Sequence, residues 1–366
     1  MKEETVLFSE AVRKYDYIAI YIPGSPDPDA IASAYALKII LKELSVEADI
    51  FAENKISLTQ NKTFIKKLKI PIKFGDNINL KHYQAYIIPD FQSNRVENLS
   101  GRIPCAVHLD HHEQSSDRVD ADFSLIRVDA GSTSTLVALL WKNMEIKFNE
   151  KDKVIIATAL TFGIQTDTDK YSNLTSLDIE ALDFLNQFAA IDILESLNSM
   201  PPSSATLLYC NRAKENEIVY KDWAFYGLGY IDARNRDSIA IASDMLLKSS
   251  GSKVVAVFGL VENQKKGELF LDVSLRALSS AIDLNRLIKR ITPTGGGRKY
   301  KGAYQIKLNY FLLAPDRELL WQLINDTTIE VLQKSRDTLY ITGLEGIYSN
   351  LKRRVLSILK KDNEID

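Results

Sequence analysis

An alternation in the first half of the chain limits what it can fold into. Short apolar runs at Tyr17–Ile22, Glu47–Phe51, Ala85–Ile88 and Cys105–Leu109 are separated by longer segments, among them Asp29–Glu43 and Ser57–Leu68, with apolar residues at helical spacing. Runs this short and this uniformly apolar suit strands buried on both faces. Strands that alternate with helices are joined by crossovers, which makes the sheet largely parallel and covers it with helices on both faces. Ser132–Trp141, Lys151–Leu160 and Ser176–Phe188 read as further helices. The fold class is therefore α/β for the N-terminal half.

A chain of 366 residues is longer than one core usually supports, the limit being roughly 250–300 residues. The break falls at Ser199-Met200-Pro201-Pro202-Ser203-Ser204, where two adjacent prolines stop a helix and stiffen the connection. Beyond it the texture changes. Tyr220–Ile231 is strand-rich, Arg236–Lys248 helical, Val254–Phe258 and Leu269–Leu275 strands, and Leu284–Ile291 a helix. Gly295-Gly296-Gly297 then leads to a strand at Tyr304–Leu308. The expected division is an α/β domain over 1–198, a linker over 199–214, a smaller α+β domain over 215–316 and a helical extension over 317–366. In that extension Leu344–Leu359 has apolar residues at helical spacing. A helix docked on its own domain is the first reading, and a homodimer contact the alternative.

Composition narrows the function. A net charge of −2 gives no electrostatic case for long duplex nucleic acid, although Arg286, Lys289, Arg290, Arg298, Lys299 and Lys301 could form a local basic groove. Two cysteines make no disulfide framework. The charged start and the lack of any run near 18 apolar residues argue against a membrane and place the protein in the cytoplasm.

The apolar runs end on acids and histidines. Val107-His108-Leu109-Asp110-His111-His112-Glu113 holds three of the four histidines. The first run leads into Pro26-Asp27-Pro28-Asp29, where the plainer role of Asp27 is to cap the following helix. Ile87-Ile88-Pro89-Asp90 ends on another carboxylate, and Asn94 and Arg95 follow as candidate phosphate contacts. Asp167 lies just past an apolar helix. Open α/β sheets gather their ligands at such strand ends. Converging carboxylates repel one another, so a divalent cation is the natural neutraliser. Mixed Asp/His donors favour Mn²⁺ over Ca²⁺, with Mg²⁺, Co²⁺ and Zn²⁺ as alternatives. Such a site suits hydrolysis of a phosphoester or phosphoanhydride by metal-activated water.

These residues, in this order, resemble the motifs of the DHH phosphoesterases of the DHH/DHHA1 type. Asp27-Pro28-Asp29-Ala30 looks like the first motif, Asp90 the second, Asp110-His111-His112 the third and Asp167 the fourth. The resemblance implies an active site in the cleft between the two domains. It implies one metal on Asp29, Asp90, His111 and Asp167, and a second held partly by Asp27 with Asp90 bridging. Asp110 would orient a histidine, and His112 would face the substrate phosphate. Ser274 and Arg276, on one face of a strand, would bind the nucleotide together with Gly295, Gly296, Gly297 and Arg298. The expected substrates are short oligonucleotides, dinucleotides or small nucleotides.

Two positions depart from the family pattern. Pro23 stands where a metal-binding histidine is usual, so one metal site reads as complete and the other as short of a ligand, with His108 or a water as a substitute. Arg298 replaces a histidine after the glycines, which keeps a phosphate donor but supplies no proton at neutral pH. The second reading is accordingly a catalytically weakened nucleotide-binding or regulatory protein.

Overall fold

The computed structural model describes all residues except 25, 57, 76–77, 114–116, 265, 279–281 and 339–366, so the Leu344–Leu359 segment lies outside the described residues. Contacts divide the chain into two units, Met1–Pro201 and Pro202–Asp366.

The first unit runs α1 (Lys2–Val12), β1 (Tyr17–Ile22), α2 (Pro28–Glu43), β2 (Glu47–Ala52), α3 (Thr59–Leu68), β3 (Ile72–Phe74), β4 (Ala85–Pro89), β5 (Cys105–Asp110) and β6 (Ala121–Ile126). Helices α4 (Thr133–Asn143), α5 (Glu150–Asp167), α6 (Ser176–Leu185) and α7 (Ile191–Asn198) follow. The sheet has the order β3-β2-β1-β4-β5-β6, and every pairing in it is parallel.

The helices do not cover both faces as expected. Buried residues of α1, α2, α4 and α5, such as Phe8, Ile31, Leu139 and Phe162, join Ile18, Ile20 and Ile22 in one cluster. On the opposite face Ala19, Tyr21, Tyr86 and Ile88 pack against Tyr83 and Leu99 from connecting segments. The physical reason is that the connections from β4 to β5 and from β5 to β6 contain no helix among their described residues. Successive strands step outward from β1 in one direction and from β4 in the other. The crevice beyond the carboxyl ends of β1 and β4 is the switch point where open α/β sheets bind ligands.

The second unit begins with α8 (Ser204–Glu215), then β7 (Glu217–Tyr220), β8 (Trp223–Asp232), α9 (Ser238–Ser249), β9 (Val254–Asn263), β10 (Glu268–Ala277), α10 (Leu284–Ile291), β11 (Gly296–Gly297) and β12 (Lys301–Lys307). Residues 317–338 form a last described helix, α11. The sheet order is β11-β12-β10-β9-β8-β7, antiparallel except for the parallel β8–β9 pair.

Two expected boundaries move. The stretch read as a linker over 199–214 holds most of α8: Ser203 caps it by accepting from Thr206 N, and Cys210 and Ala213 are buried against α9 and the sheet. The stretch read as an extension from residue 317 begins with α11, whose Leu320, Ile329 and Leu332 are buried in the core that Trp223 and Phe258 share. Among the described residues no helix is long and apolar enough to cross a membrane.

Candidate metal centre

Asp29 is one of three fully buried acids of the first unit, with Asp110 and Asp178. It lies in the first turn of α2 and is wholly buried. Its two carboxylate oxygens accept backbone N–H groups from the first turn of α4, Thr133 at 2.7 Å and Ser134 at 2.7 Å. These amides have no partner within their own helix, and the positive end of the helix dipole favours an anion there. Burial and the charge of Asp167 nevertheless push the Asp29 carboxyl up to about 6.

Asp90 follows β4 in a left-handed conformation with φ +57°. Its backbone N–H donates to Leu109 O at 2.8 Å, which ties the turn to β5. Thr133 Oγ1 donates to Asp90 Oδ1 at 3.0 Å. Burial, with the charges of Asp29, Asp27 and Asp167 around it, raises this carboxyl well above the ordinary range.

At the end of β5 the three consecutive residues divide their roles. Asp110 is fully buried, and its Oδ1 lies 2.8 Å from His112 Nδ1. Burial pushes Asp110 up, but hydrogen bonding and charge from His112 outweigh it and hold the carboxyl below its usual value. His111 is 7% exposed, and its Nδ1 lies 3.2 Å from Ala130 O. With that proton on Nδ1, Nε2 faces Asp167 Oδ2 at 3.0 Å and Asp90 Oδ1 at 3.6 Å. A lone pair aimed at two carboxylates is repulsive unless a proton or a cation stands between them.

Two groups of three side chains bring their ligand atoms within 4.8 Å of one another: Asp29, His111 and Asp167, and Asp90, His111 and His112. His111 belongs to both. The donor set, carboxylate oxygens with imidazole nitrogens, fits a borderline divalent cation.

Not every expected site residue joins these groups, and one that does sits differently along the chain. Asp27 joins neither group; it is exposed and caps α2, accepting from Ala30 N at 2.9 Å, and the charge of Asp167 pushes its carboxyl upward. Asp167 is the last residue of α5 rather than lying past the helix. His108, the positional substitute for the missing ligand, pairs its Nε2 with Phe91 O at 2.8 Å and joins neither group. Pro23 sits in the loop after β1 with no side-chain donor.

Asn94 is not placed to bind substrate. It is buried, and its amide both donates to Val119 O and accepts from Val119 N, clamping the connection before β6. Arg95 pairs with Asp117 at 2.5 Å.

In the second unit Ser274 and Arg276 do share a face of β10, but that face meets α9. Ser274 Oγ lies 3.0 Å from Ser243 Oγ, and Arg276 Nε donates to Asp244 at 2.5 Å. Gly295, Gly296 and Gly297 have packing reasons. A side chain at Gly295 would meet Ile288 and Tyr304 at 2.6 Å, one at Gly297 would meet Lys301 O at 2.4 Å, and Gly296 and Gly297 pair with β12 as a strand. Arg298 N closes the turn onto Lys301 O at 2.7 Å.

Sequence reasoning missed Thr133 and Ser134, which hold two of the acids. The signal was the polar run Gly131-Ser132-Thr133-Ser134-Thr135 at a helix start, where exposed amides await an acceptor. It also missed Asp178, fully buried, which accepts from Gly131 N, Thr135 Oγ1 and Thr175 N behind that helix start.

Residues 17–164 match the model of the DHH family, N-terminal domain. The matched segment lies within the first unit, and Asp167 lies just beyond it. An uncharacterized protein of Methanocaldococcus jannaschii is 29% identical over 305 residues, which span 82% of this chain and 60% of that protein. An uncharacterized protein of Mycoplasma genitalium is 25% identical over 168 residues, 45% of this chain and 48% of that one. The chain thus spans about half of the relatives it matches. A crystal structure of an exopolyphosphatase-related protein from Bacteroides fragilis superposes with a TM-score of 0.67 at 18% identity, covering 92% of this chain and 96% of that one. That likeness is one of fold.

Proposed function

We propose that the chain is a metal-dependent phosphoesterase acting on short oligonucleotides, dinucleotides or small nucleotides. The observation that carries this reading is the pair of overlapping Asp/His groups sharing His111 at the carboxyl ends of a parallel sheet. Asp29, His111 and Asp167 would hold one divalent cation, with Mn²⁺ favoured and Mg²⁺ or Co²⁺ as alternatives. Asp90, His111 and His112 offer an alternative position, since the single Nε2 lone pair of His111 serves one cation at a time. A bound divalent cation supplies Lewis-acid activation of water and neutralises charge at a phosphoryl group.

The chain's own residues prepare this chemistry. Thr133 and Ser134 amides hold the Asp29 carboxylate, and Asp110 fixes the ring of His112 through Nδ1. The His112 side chain is 32% exposed, enough to meet a phosphate oxygen at the mouth of the site.

The test is hydrolysis of pApA or pGpG in Mn²⁺ against EDTA. Turnover only with metal, and its loss by roughly 100-fold or more in Asp90→Ala and His111→Ala, is the expected result. The absence of any donor at Pro23 favours one other reading, a nucleotide-binding protein that does not hydrolyse. Inactivity across Mn²⁺, Mg²⁺ and Co²⁺ together with micromolar nucleotide binding would establish that reading instead.

A further inference from the structure

We infer that Thr133 is a positioning residue that locks two of the three acids of the metal site, Asp29 and Asp90, to one helix start. This rests on the metal-site reading above. Thr133 is fully buried and opens α4 directly after the cap Ser132. Its two polar groups go to different acids, the N–H to Asp29 Oδ2 at 2.7 Å and the hydroxyl to Asp90 Oδ1 at 3.0 Å. A threonine further along a helix would turn its hydroxyl back to a carbonyl of the preceding turn. In the first turn no such carbonyl exists, so the hydroxyl is available to a neighbour.

The oxygen it reaches is the important one. Asp90 Oδ1 also lies 3.6 Å from His111 Nε2 and 3.8 Å from His112 Nδ1, so it is the carboxylate atom that faces both histidines. Asp90 needs an external hold, because its left-handed backbone and its buried, charge-crowded carboxyl both oppose the position it occupies. Thr133 supplies that hold with a hydroxyl that can only donate to a carboxylate. The same residue joins the acid after β4 to the acid in α2. The spacing of the two ligand groups therefore depends on one side chain that touches neither substrate nor metal.

The experiment compares Mn²⁺ affinity, by titration of the free-ion EPR signal, for the wild type, Thr133→Val and Thr133→Ser. Valine keeps the shape and the backbone N–H but removes the donor, whereas serine keeps the donor. The expected result is a roughly 10–100-fold weaker Mn²⁺ dissociation constant for Thr133→Val, and a value within about threefold of wild type for Thr133→Ser. Rescue by serine separates a hydrogen-bonding role from a packing role. If Thr133→Val does not fold, Thr133→Ala takes its place, since alanine is well tolerated in a helix. Wild-type affinity in the donor-free variant, or equal loss in the serine variant, overturns the inference. A wild type that binds no Mn²⁺ overturns the metal-site reading as well, which keeps the two failures distinct.

Discussion

Asp29→Asn is the perturbation whose consequences follow most fully from the structure. In the metal-free protein the wild-type carboxyl is raised from 3.8 to about 6, because it is buried beside Asp167. A folded-state value above the unfolded one means that the folded protein binds the extra proton. The penalty is absent below about pH 4, grows as pH rises and is complete above about pH 6. Two pH units correspond to about 3 kcal/mol.

Asparagine removes that penalty but offers one acceptor oxygen where the structure has two N–H donors, Thr133 and Ser134. One buried amide then faces an NH₂ group, at about 2–3 kcal/mol. The two effects nearly cancel at pH 8, so in EDTA the variant should melt within a few degrees of wild type, and its melting should vary less between pH 5 and pH 8. With Mn²⁺ the balance changes, since the wild type exchanges repulsion for ligation and the variant has lost an anionic ligand. Thermal melts in EDTA and in Mn²⁺ at both pH values measure all of this. An equal Mn²⁺-induced rise in both proteins would refute the reasoning. So would a collapse of the variant in EDTA at pH 8.

Other substitutions probe the supports. Asp178→Ala leaves Gly131 N, Thr135 Oγ1 and Thr175 N without their acceptor, and should lower stability by about 3–5 kcal/mol in chemical denaturation. Gly163→Ala would place a methyl 2.2 Å from Ser134 Oγ, where α5 meets the start of α4. It should cost about 1–3 kcal/mol and weaken Mn²⁺ binding, read by melting and metal titration. Burial pushes the Cys105 thiol up to about 12, so it should not react with a disulfide reagent at pH 8 until denaturant is added.

Much of the first unit was legible because its strands are short apolar runs. β1 and α2 appear almost where the sequence places them. β6 escaped notice because Ala121–Ile126 alternates buried Phe123 and Leu125 with exposed positions instead of forming an apolar run. α8 escaped because its start is polar and follows two prolines. At the site, acids and histidines signalled themselves by type and position. Their partners did not, because Thr133 and Ser134 act through a helix start whose proximity to Asp29 depends on tertiary packing. The same limit explains Asn94 and Ser274, polar residues whose partners, Val119 and Ser243, are structural.

The most direct test is an Mn²⁺ binding titration on the wild type and on His111→Ala, since His111 is the one residue common to both ligand groups. The account predicts saturable binding by the wild type and loss of that binding in the variant. Wild-type Mn²⁺ binding in His111→Ala would contradict it.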